Sequence, residues 1–155
     1  MSEPVAYIDR THRYYRAQGF SDDYRYAHFE DVPFAPLDKP LDECTLGLVT
    51  TAATYHRASL EPRKVDTGLL SEDVSLYADD LSWDKEATHL DDLNSFFPVA
   101  SLSALVAGGV LGGLAPHFHC APTEYSHRAT LEHDAPEIHQ RLLSDGADIA
   151  LLVPL

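Results

Sequence analysis

The stretch at residues 145–155 constrains the fold more than any other part of the sequence. It begins with Asp-Gly-Ala-Asp, which is typical of a turn, and continues with the apolar run Ile-Ala-Leu-Leu-Val. An apolar run of this length after a turn predicts a strand that is buried in a parallel sheet. In open sheets of this class, ligands bind in the crevice beyond the carboxyl ends of the strands. We therefore expect a site near the end of this strand, built from other loops or from a part that this chain does not contain.

Earlier apolar runs at residues 45–51 and 110–115 predict further strands of the same sheet. Helical patterns at residues 99–107 and 134–144 lie between the strand candidates. Strands that alternate with helices predict an α/β fold. We expect a single domain with a mainly parallel sheet flanked by helices.

The helix predicted at residues 134–144 has residues typical of helix ends at both of its termini. Asp134 is placed to cap its N-terminus, Pro136 falls in its first turn, and Gly146 follows its end. Two further segments are less regular: residues 52–73 predict a long loop, and the alternation at residues 74–77 predicts a short strand.

Residues 1–40 differ in pattern from the rest of the chain. Residues 4–18 predict a short amphipathic helix that stops at Gly19. Residues 20–40 are rich in aromatic side chains and contain three prolines, which argue against regular structure. We expect an extended arm there, packed over a core or binding a partner. The predicted organisation is therefore a helix and arm at 1–40 and an α/β domain at 41–155.

The composition excludes several classes of function. The chain has 155 residues and a net charge of −14, and it shows no cluster of Lys and Arg. Binding to phosphate backbones needs such clusters, so we expect no nucleic-acid partner. No apolar run reaches the roughly 18 residues that cross a bilayer, and no signal peptide is visible, so we expect a cytoplasmic protein without a membrane partner. Cys44 and Cys120 form no disulfide framework, which fits a reducing compartment.

His117, His119 and Cys120 form the densest cluster of side chains that can bind a metal. If this segment is extended, the histidines share one face, because side chains alternate along a strand. Two imidazoles and a thiolate suit zinc or copper. Candidates for a further ligand are His89, Asp92 and His127. If a histidine lowered the pKa of Cys120, the thiol could instead be a nucleophile. The alternatives are a polar loop with local hydrogen bonds and a buried, inert thiol.

A polar group of Asp91, Asp92 and Asn94 precedes the sequence Phe-Phe-Pro at residues 96–98. These side chains could bind a substrate amine or a partner loop. The alternative is that they cap the following helix, a role that Asp and Asn suit.

Three parts of the chain carry a family resemblance. The first is Val-Pro-Phe at residues 32–34 with the strand at 41–52, which ends in Val-Thr-Thr-Ala. The second is the block at 84–98, Asp-x7-Asp-x-Asn-x-x-Phe-Pro, with the helix and strand at 102–112. The third is the strand at 145–154. In order and spacing, these parts resemble the B-type subunits of glycine/sarcosine/betaine reductase and D-proline reductase. The candidate substrate- or partner-binding residues are Thr50, Thr51, Asp84, His89, Asp92 and Asn94.

This resemblance implies an oxidoreductase subunit that cleaves a carbon–nitrogen bond of a small amine or amino acid reductively. In this family, the pyruvoyl group of a partner subunit activates the substrate, a selenol or thiol attacks it, and a thiol donor restores the enzyme. A soft nucleophile of low pKa suits this task, because it attacks well and is readily reduced afterwards. The resemblance therefore implies a partner reductase subunit or a homo-oligomer, with a pyruvoyl group on the partner.

The chain departs from this family in two places. The family has an aromatic or glycine-containing turn near residues 117–120, where this chain is rich in histidine. The family's redox residue also follows directly after the position of Leu155. One explanation is a reading frame that was ended at an in-frame UGA codon for selenocysteine. Another is a short homologue that lost the activity or that uses Cys120, with His119 and His117 beside it. The alternative function is a non-redox metal- or partner-binding protein on the same scaffold.

Overall fold

The computed structural model describes residues 6–33, 35–54, 64–71, 73–78, 89–121 and 126–155. The chain divides into two units, Met1–Ala35 and Pro36–Leu155. No helix in the described ranges is long and apolar enough to cross a membrane.

The first unit consists of one helix and an irregular segment. Helix α1 spans Tyr7–Ala17, as the sequence predicts, and Gly19 follows it with a φ of 93°. Glycine adopts this left-handed conformation without steric cost, so it ends the helix. The chain then turns back, and Arg16 Nε donates a hydrogen bond to Asp23 Oδ1 at 2.8 Å. The described residues from 20 to 40 form no α-helix and no strand, in agreement with the predicted arm.

The second unit is built around a four-stranded sheet. Its strands are β1 (Thr45–Thr50), β2 (Asp66–Leu69), β3 (Gly113–Cys120) and β4 (Ile149–Val153). Their order is β2-β3-β1-β4; β3 and β4 run parallel to β1, and β2 is antiparallel to β3. The predicted α/β fold with a mainly parallel sheet is therefore confirmed.

Helices precede or connect these strands. After the 3₁₀ turn Leu41–Glu43 come α2 (Leu93–Phe96), α3 (Val99–Ala107), α4 (His127–Ala129), a π-helical segment (Thr130–Asp134) and α5 (Ala135–Ser144). Helix α3 has the predicted bounds. Asp134 was predicted as a helix cap, but its side chain makes no capping hydrogen bond. The reason is that α4 and the π-helical segment lead directly into α5, so Asp134 lies inside a helical run and is buried.

The two faces of β1 are covered by different elements. Leu46 and Leu48 belong to a core cluster that includes Phe96, Phe97 and Phe118. The other face meets α5, since a Cβ atom added at Gly47 would lie 2.3 Å from Leu142 Cδ2. A helix can approach this closely only over a residue without a side chain. Helix α5 therefore lies directly on β1.

Strand β3 differs from the prediction. It begins at Gly113 and continues through Cys120, whereas the sequence predicted a strand at 110–115 with the histidines beyond its end. Pro116 lies within the strand and cannot donate a hydrogen bond there. Its carbonyl accepts one from Leu70 N at 2.9 Å, and the pairing of β1 with β3 shifts between Leu46 and Leu48. The sheet accommodates this proline through an irregularity in register.

Three smaller predictions also need correction. Strand β4 is not buried on both faces as predicted: its exposure alternates, because one face is left largely uncovered, and Leu152 on that face is 69% exposed. The predicted loop at 52–73 contains β2, although residues 55–63 and 72 lie outside the described ranges. The predicted strand at 74–77 reduces to an isolated bridge between Ala53 and Tyr77.

Candidate functional site

The alternation of side chains along β3 separates the predicted cluster into two parts. His117 and His119 point to the face covered by α5, where both contact Asp145. Phe118 and Cys120 point to the opposite face and belong to the core cluster. The prediction that the two histidines share one face is confirmed. The structure does not bring the Cys120 sulfur to that face, so the three predicted metal ligands do not converge.

Asp145 joins the two histidines. Its Oδ1 lies 2.9 Å from His117 Nδ1, and its Oδ2 lies 3.5 Å from His119 Nε2. Asp145 follows the last residue of α5, and its backbone N–H still donates to Arg141 O at 3.0 Å. Gly146 comes next with a φ of 73°, which turns the chain towards β4. The end of the helix thus places the carboxylate over β3.

The second ring nitrogen of His119 has a partner on the neighbouring strand. Thr67 is the register partner of His119 across β2 and β3, and Thr67 Oγ1 lies 2.9 Å from His119 Nδ1. Arg141 on α5 donates a hydrogen bond to the same Oγ1. Arg141 also forms an ion pair with Glu137, one turn earlier in the helix. A continuous set of polar contacts therefore runs from Glu137 to His117.

These contacts line an open cleft of about 390 Å³. Its lining residues are Thr67, His117, His119, Glu137, Gln140, Arg141, Ser144 and Asp145. The His117 side chain is 38% exposed there, whereas that of His119 is 1% exposed. His119 Nε2 and Asp145 Oδ2 are buried and make no hydrogen bond of good geometry within the described ranges. Buried polar atoms of this kind are costly and often mark a functional site.

Burial also affects the charge of His119. Loss of hydration lowers the pKa of this imidazole below its ordinary value of 6.5. The negative charge of Asp145 opposes this change, and the positive charge of Arg141 adds to it. His119 is therefore a neutral imidazole at pH values around 7.

Cys120 has surroundings that do not suit a nucleophile. The residue is 3% exposed, and burial raises the pKa of its thiol to about 12, with a further contribution from the charge of Asp66. A hydrogen bond from the backbone of Thr54 acts in the opposite direction. The predicted activation required a histidine to lower this pKa. In the structure, the histidines lie on the face of the sheet opposite to Cys120, and the pKa of the Cys120 thiol is raised.

Thr50 and Thr51 lie at the carboxyl edge of the sheet. Thr50 is the register partner of both Cys120 and Val153, and it is buried. Thr50 Oγ1 accepts a hydrogen bond from Ala52 N at 3.3 Å, and Thr51 Oγ1 accepts one from Leu155 N at 2.9 Å. Both hydroxyl groups therefore bind backbone, and that of Thr51 holds the end of β1 to the residue that follows β4.

Two of the other predicted binding residues, His89 and Asn94, have local partners. His89 lies 3.5 Å from Asp91, and Asn94 exchanges hydrogen bonds with Ser101 at 2.8 and 3.1 Å. Asp92 occupies the N-cap position of α2 but makes no side-chain capping bond. Asp84 lies outside the described residues.

No group of three or more His, Cys, Asp or Glu side chains is arranged to hold a metal in the ranges that the structure describes.

Sequence reasoning missed the residues that join the histidines, namely Thr67, Glu137, Arg141 and Asp145. One signal was present: Glu137, Arg141 and Asp145 are spaced by four residues, which places them on one helix face.

Comparisons of the chain with protein-family models, with curated proteins and with solved structures gave no match.

Proposed function

We propose that this chain is a subunit of an amino-acid reductase of the glycine/sarcosine/betaine and D-proline reductase type. One observation supports this proposal most. Two of the resembling segments are about 100 residues apart in the sequence, yet they form the adjacent strands β1 and β4. Their ends, Thr50 and Val153, are register partners at the carboxyl edge, where sheets of this class bind ligands. A shared site at that edge explains why both segments resemble one family.

The proposal assigns the redox chemistry to this edge and not to Cys120. In the family, the redox residue follows directly after the position of Leu155, and Leu155 N is held by Thr51 Oγ1. The Cys120 thiol is buried with a pKa of about 12, so it carries almost no thiolate at neutral pH. The substrate is a small amine or amino acid, and a partner subunit supplies the pyruvoyl group. The two cysteines are free, which supports a reducing cytoplasm as the compartment.

The test is the protein that its own cells make from this gene, isolated with any subunits that stay bound. We expect the isolated protein to cleave glycine, sarcosine, betaine or D-proline only when a dithiol donor is added. Treatment with borohydride, which reduces the pyruvoyl carbonyl, should abolish this activity. The absence of dithiol-dependent cleavage of all four compounds would overturn the proposal.

A non-redox protein that binds a metal or a partner on the same scaffold is the second candidate. It is favoured by the open cleft on the face away from Cys120, where His117 and His119 both contact Asp145. Within the described residues these three side chains are not arranged as a metal-binding group, so a metal would have to rearrange them. Metal analysis of protein purified without a histidine tag tests the metal-binding form. Zinc or copper in the wild-type protein, and its loss from His119→Ala, would support this form. Metal-free wild-type protein would reject it.

A further inference from the structure

We propose that the cleft at His117 binds a small organic cation that carries an N–H donor, such as a primary ammonium group. His117 Nε2 accepts the hydrogen bond from this group. The cleft lies on the opposite face of the sheet from Cys120, so the inference does not depend on the proposed reductase function. Its volume of about 390 Å³ falls within the range of small-molecule sites.

Arg141 and Asp145 together set the direction of the hydrogen bonds in the cleft. A guanidinium group can only donate hydrogen bonds. Thr67 Oγ1 therefore accepts from Arg141, and its own proton is available for His119 Nδ1 at 2.9 Å. Because the hydroxyl oxygen has a second lone pair, it is Asp145, beside the other ring nitrogen, that makes Nδ1 the acceptor.

The proton of His119 then lies on its other nitrogen. A neutral imidazole carries one proton, and Nδ1 is the acceptor from Thr67. Nε2 is 3.5 Å from Asp145 Oδ2, and an N–H group there faces a carboxylate, whereas a lone pair would be repelled by it. His119 is thus the Nε2–H tautomer and directs its N–H towards Asp145.

Asp145 sets the opposite tautomer in His117. An ionised carboxylate only accepts hydrogen bonds, so His117 Nδ1 donates to Asp145 Oδ1 at 2.9 Å. In the neutral form of this ring, the lone pair therefore lies on Nε2. No hydrogen bond to that nitrogen occurs within the described ranges, and the side chain is 38% exposed in the cleft. The set of contacts therefore ends in one free acceptor that faces solvent.

The charge of the lining favours a cation. Glu137 and Asp145 are negative, Arg141 is positive and already paired with Glu137, and His119 is neutral. These charges give the lining a surplus of negative charge. The whole protein carries a net charge of −14, which attracts cations and repels anions over longer distances. A ligand with a positive charge and an N–H donor is attracted by the negative charge and can also donate a hydrogen bond to His117 Nε2.

The first experiment determines the tautomers in the full chain. Nitrogen-15 NMR of the histidine rings at about pH 8, where imidazoles are largely neutral, distinguishes protonated from unprotonated ring nitrogens. We expect a proton on Nδ1 of His117 and on Nε2 of His119. A proton on Nε2 of His117 would overturn the proposal, because the acceptor would be absent.

The second experiment titrates the same protein with methylammonium chloride. We expect a saturable change in the His117 ring signals. Tetramethylammonium chloride at equal ionic strength has a charge but no N–H donor, and it should bind at least about tenfold more weakly. Sodium acetate should produce no saturable change. Equal responses to methylammonium and tetramethylammonium, or no saturable response, would overturn the proposal.

Matched variants locate the binding site. In His117→Asn, the amide nitrogen can still donate to Asp145 in place of Nδ1, but the Nε2 acceptor is lost. We expect this variant to keep its circular dichroism spectrum and to bind methylammonium at least about tenfold more weakly. The control is His139→Asn, at an exposed position on α5, which should bind as the wild-type chain does. Unchanged binding by folded His117→Asn would place the ligand elsewhere and reject the assignment. If that variant does not fold, the tautomer and ligand comparisons in the wild-type protein still decide the question.

Discussion

Burial has the same physical effect on two neighbouring residues of β3, because it disfavours the charged form of each. The pKa of His119 is lowered and that of Cys120 is raised, with loss of hydration as the largest cause in both. The two side chains differ in what surrounds them. His119 has polar partners in the cleft, whereas Cys120 belongs to the apolar core. Adjacent residues therefore suit different tasks: hydrogen bonding for His119 and packing for Cys120.

The lowered pKa of His119 predicts how stability depends on pH. Below its ordinary pKa of 6.5, His119 binds a proton in the unfolded chain before it does so in the folded one. The contribution of neutral His119 to the free energy of unfolding should therefore be complete above pH 6.5. It should be lost as the pH falls from 6.5 towards the lower pKa of the folded state. The contribution of one proton is at most about 1.4 kcal/mol per pH unit. Urea denaturation at several pH values measures it.

His119→Gln isolates this contribution, because glutamine does not titrate. Its free energy of unfolding should vary less steeply between pH values of about 7 and 5 than that of the wild-type chain. His133→Gln, at an exposed position, serves as the control and should keep the wild-type slope. An equal slope in all three proteins would contradict the prediction.

The two cysteines should be unreactive in the native protein. Cys44 is fully buried and Cys120 is 3% exposed, and the thiol of Cys120 has a pKa of about 12. Iodoacetamide reacts with the thiolate, which here is both scarce and shielded. Mass spectrometry should detect almost no labelling near neutral pH and two labels per chain after denaturation in urea. Fast labelling of native Cys120 would contradict its assignment as a packing residue and would support the hypothesis that its thiol is a nucleophile.

For individual residues, part of the cleft around His117 could be predicted from the sequence. Alternation along an extended segment predicted that His117 and His119 share one face. The same alternation turns Cys120 to the other face, so the predicted grouping of the thiol with the histidines was wrong. Asp145 was not predictable as their partner, since it lies 28 residues beyond His117 and meets it only because α5 packs on the sheet. Thr67 likewise depends on the pairing of β2 with β3, in a segment that was predicted to be a loop.

Among the structural elements, the 3₁₀ turn Leu41–Glu43 and the residue before β3 meet at a very close approach. A Cβ atom added at Gly112 would lie 2.7 Å from Glu43 C and 2.8 Å from Asp42 O, both of them backbone atoms. The next residue, Gly113, has no atom within 4 Å of such a Cβ position. Backbone cannot move aside as a flexible side chain can, so only Gly112 is required by this contact.

This difference predicts opposite outcomes for two neighbouring substitutions. Gly112→Ala should destabilise the protein by about 1–3 kcal/mol, because the added methyl group forces the 3₁₀ turn away from β3. Gly113→Ala should change stability by less than about 0.5 kcal/mol. Urea denaturation of the three proteins measures both values. Equal stability of the two variants would show that the turn does not pack here as the structure has it.

The element boundaries show where sequence patterns suffice. Helix α3 agrees with its prediction because a helical run is closed by Gly109, which has a φ of 69°. Strand β3 was predicted to end before Pro116, since proline is disfavoured inside sheets. The sheet instead absorbs Pro116 through a shift in the pairing of β1 and β3, and no local pattern signals such a shift.

At the scale of the whole molecule, the apolar core belongs to one unit. The core cluster and the residues packed against it lie between positions 46 and 155. All four strands also lie in the unit Pro36–Leu155. The described residues of the unit Met1–Ala35, 6–33 and 35, form no strand, and their exposed apolar side chains include Tyr7, Phe20 and Phe29. The core, and the sheet that it stabilises, therefore need only the second unit.

A chain of residues 36–155 should consequently fold by itself. Hydrophobic burial is the main favourable term in folding, and the truncated chain keeps every member of the core cluster. We expect its thermal unfolding to remain cooperative, with a midpoint within about 5 °C of the full chain. Circular dichroism measures this midpoint. Leu48→Ala in the same truncated chain is the matched comparison: Leu48 is fully buried in the core, and its removal should cost about 2–5 kcal/mol and lower the midpoint clearly. If residues 36–155 unfolded without a cooperative transition, residues 1–35 would have to supply essential packing, and the assignment of the core to one unit would be wrong.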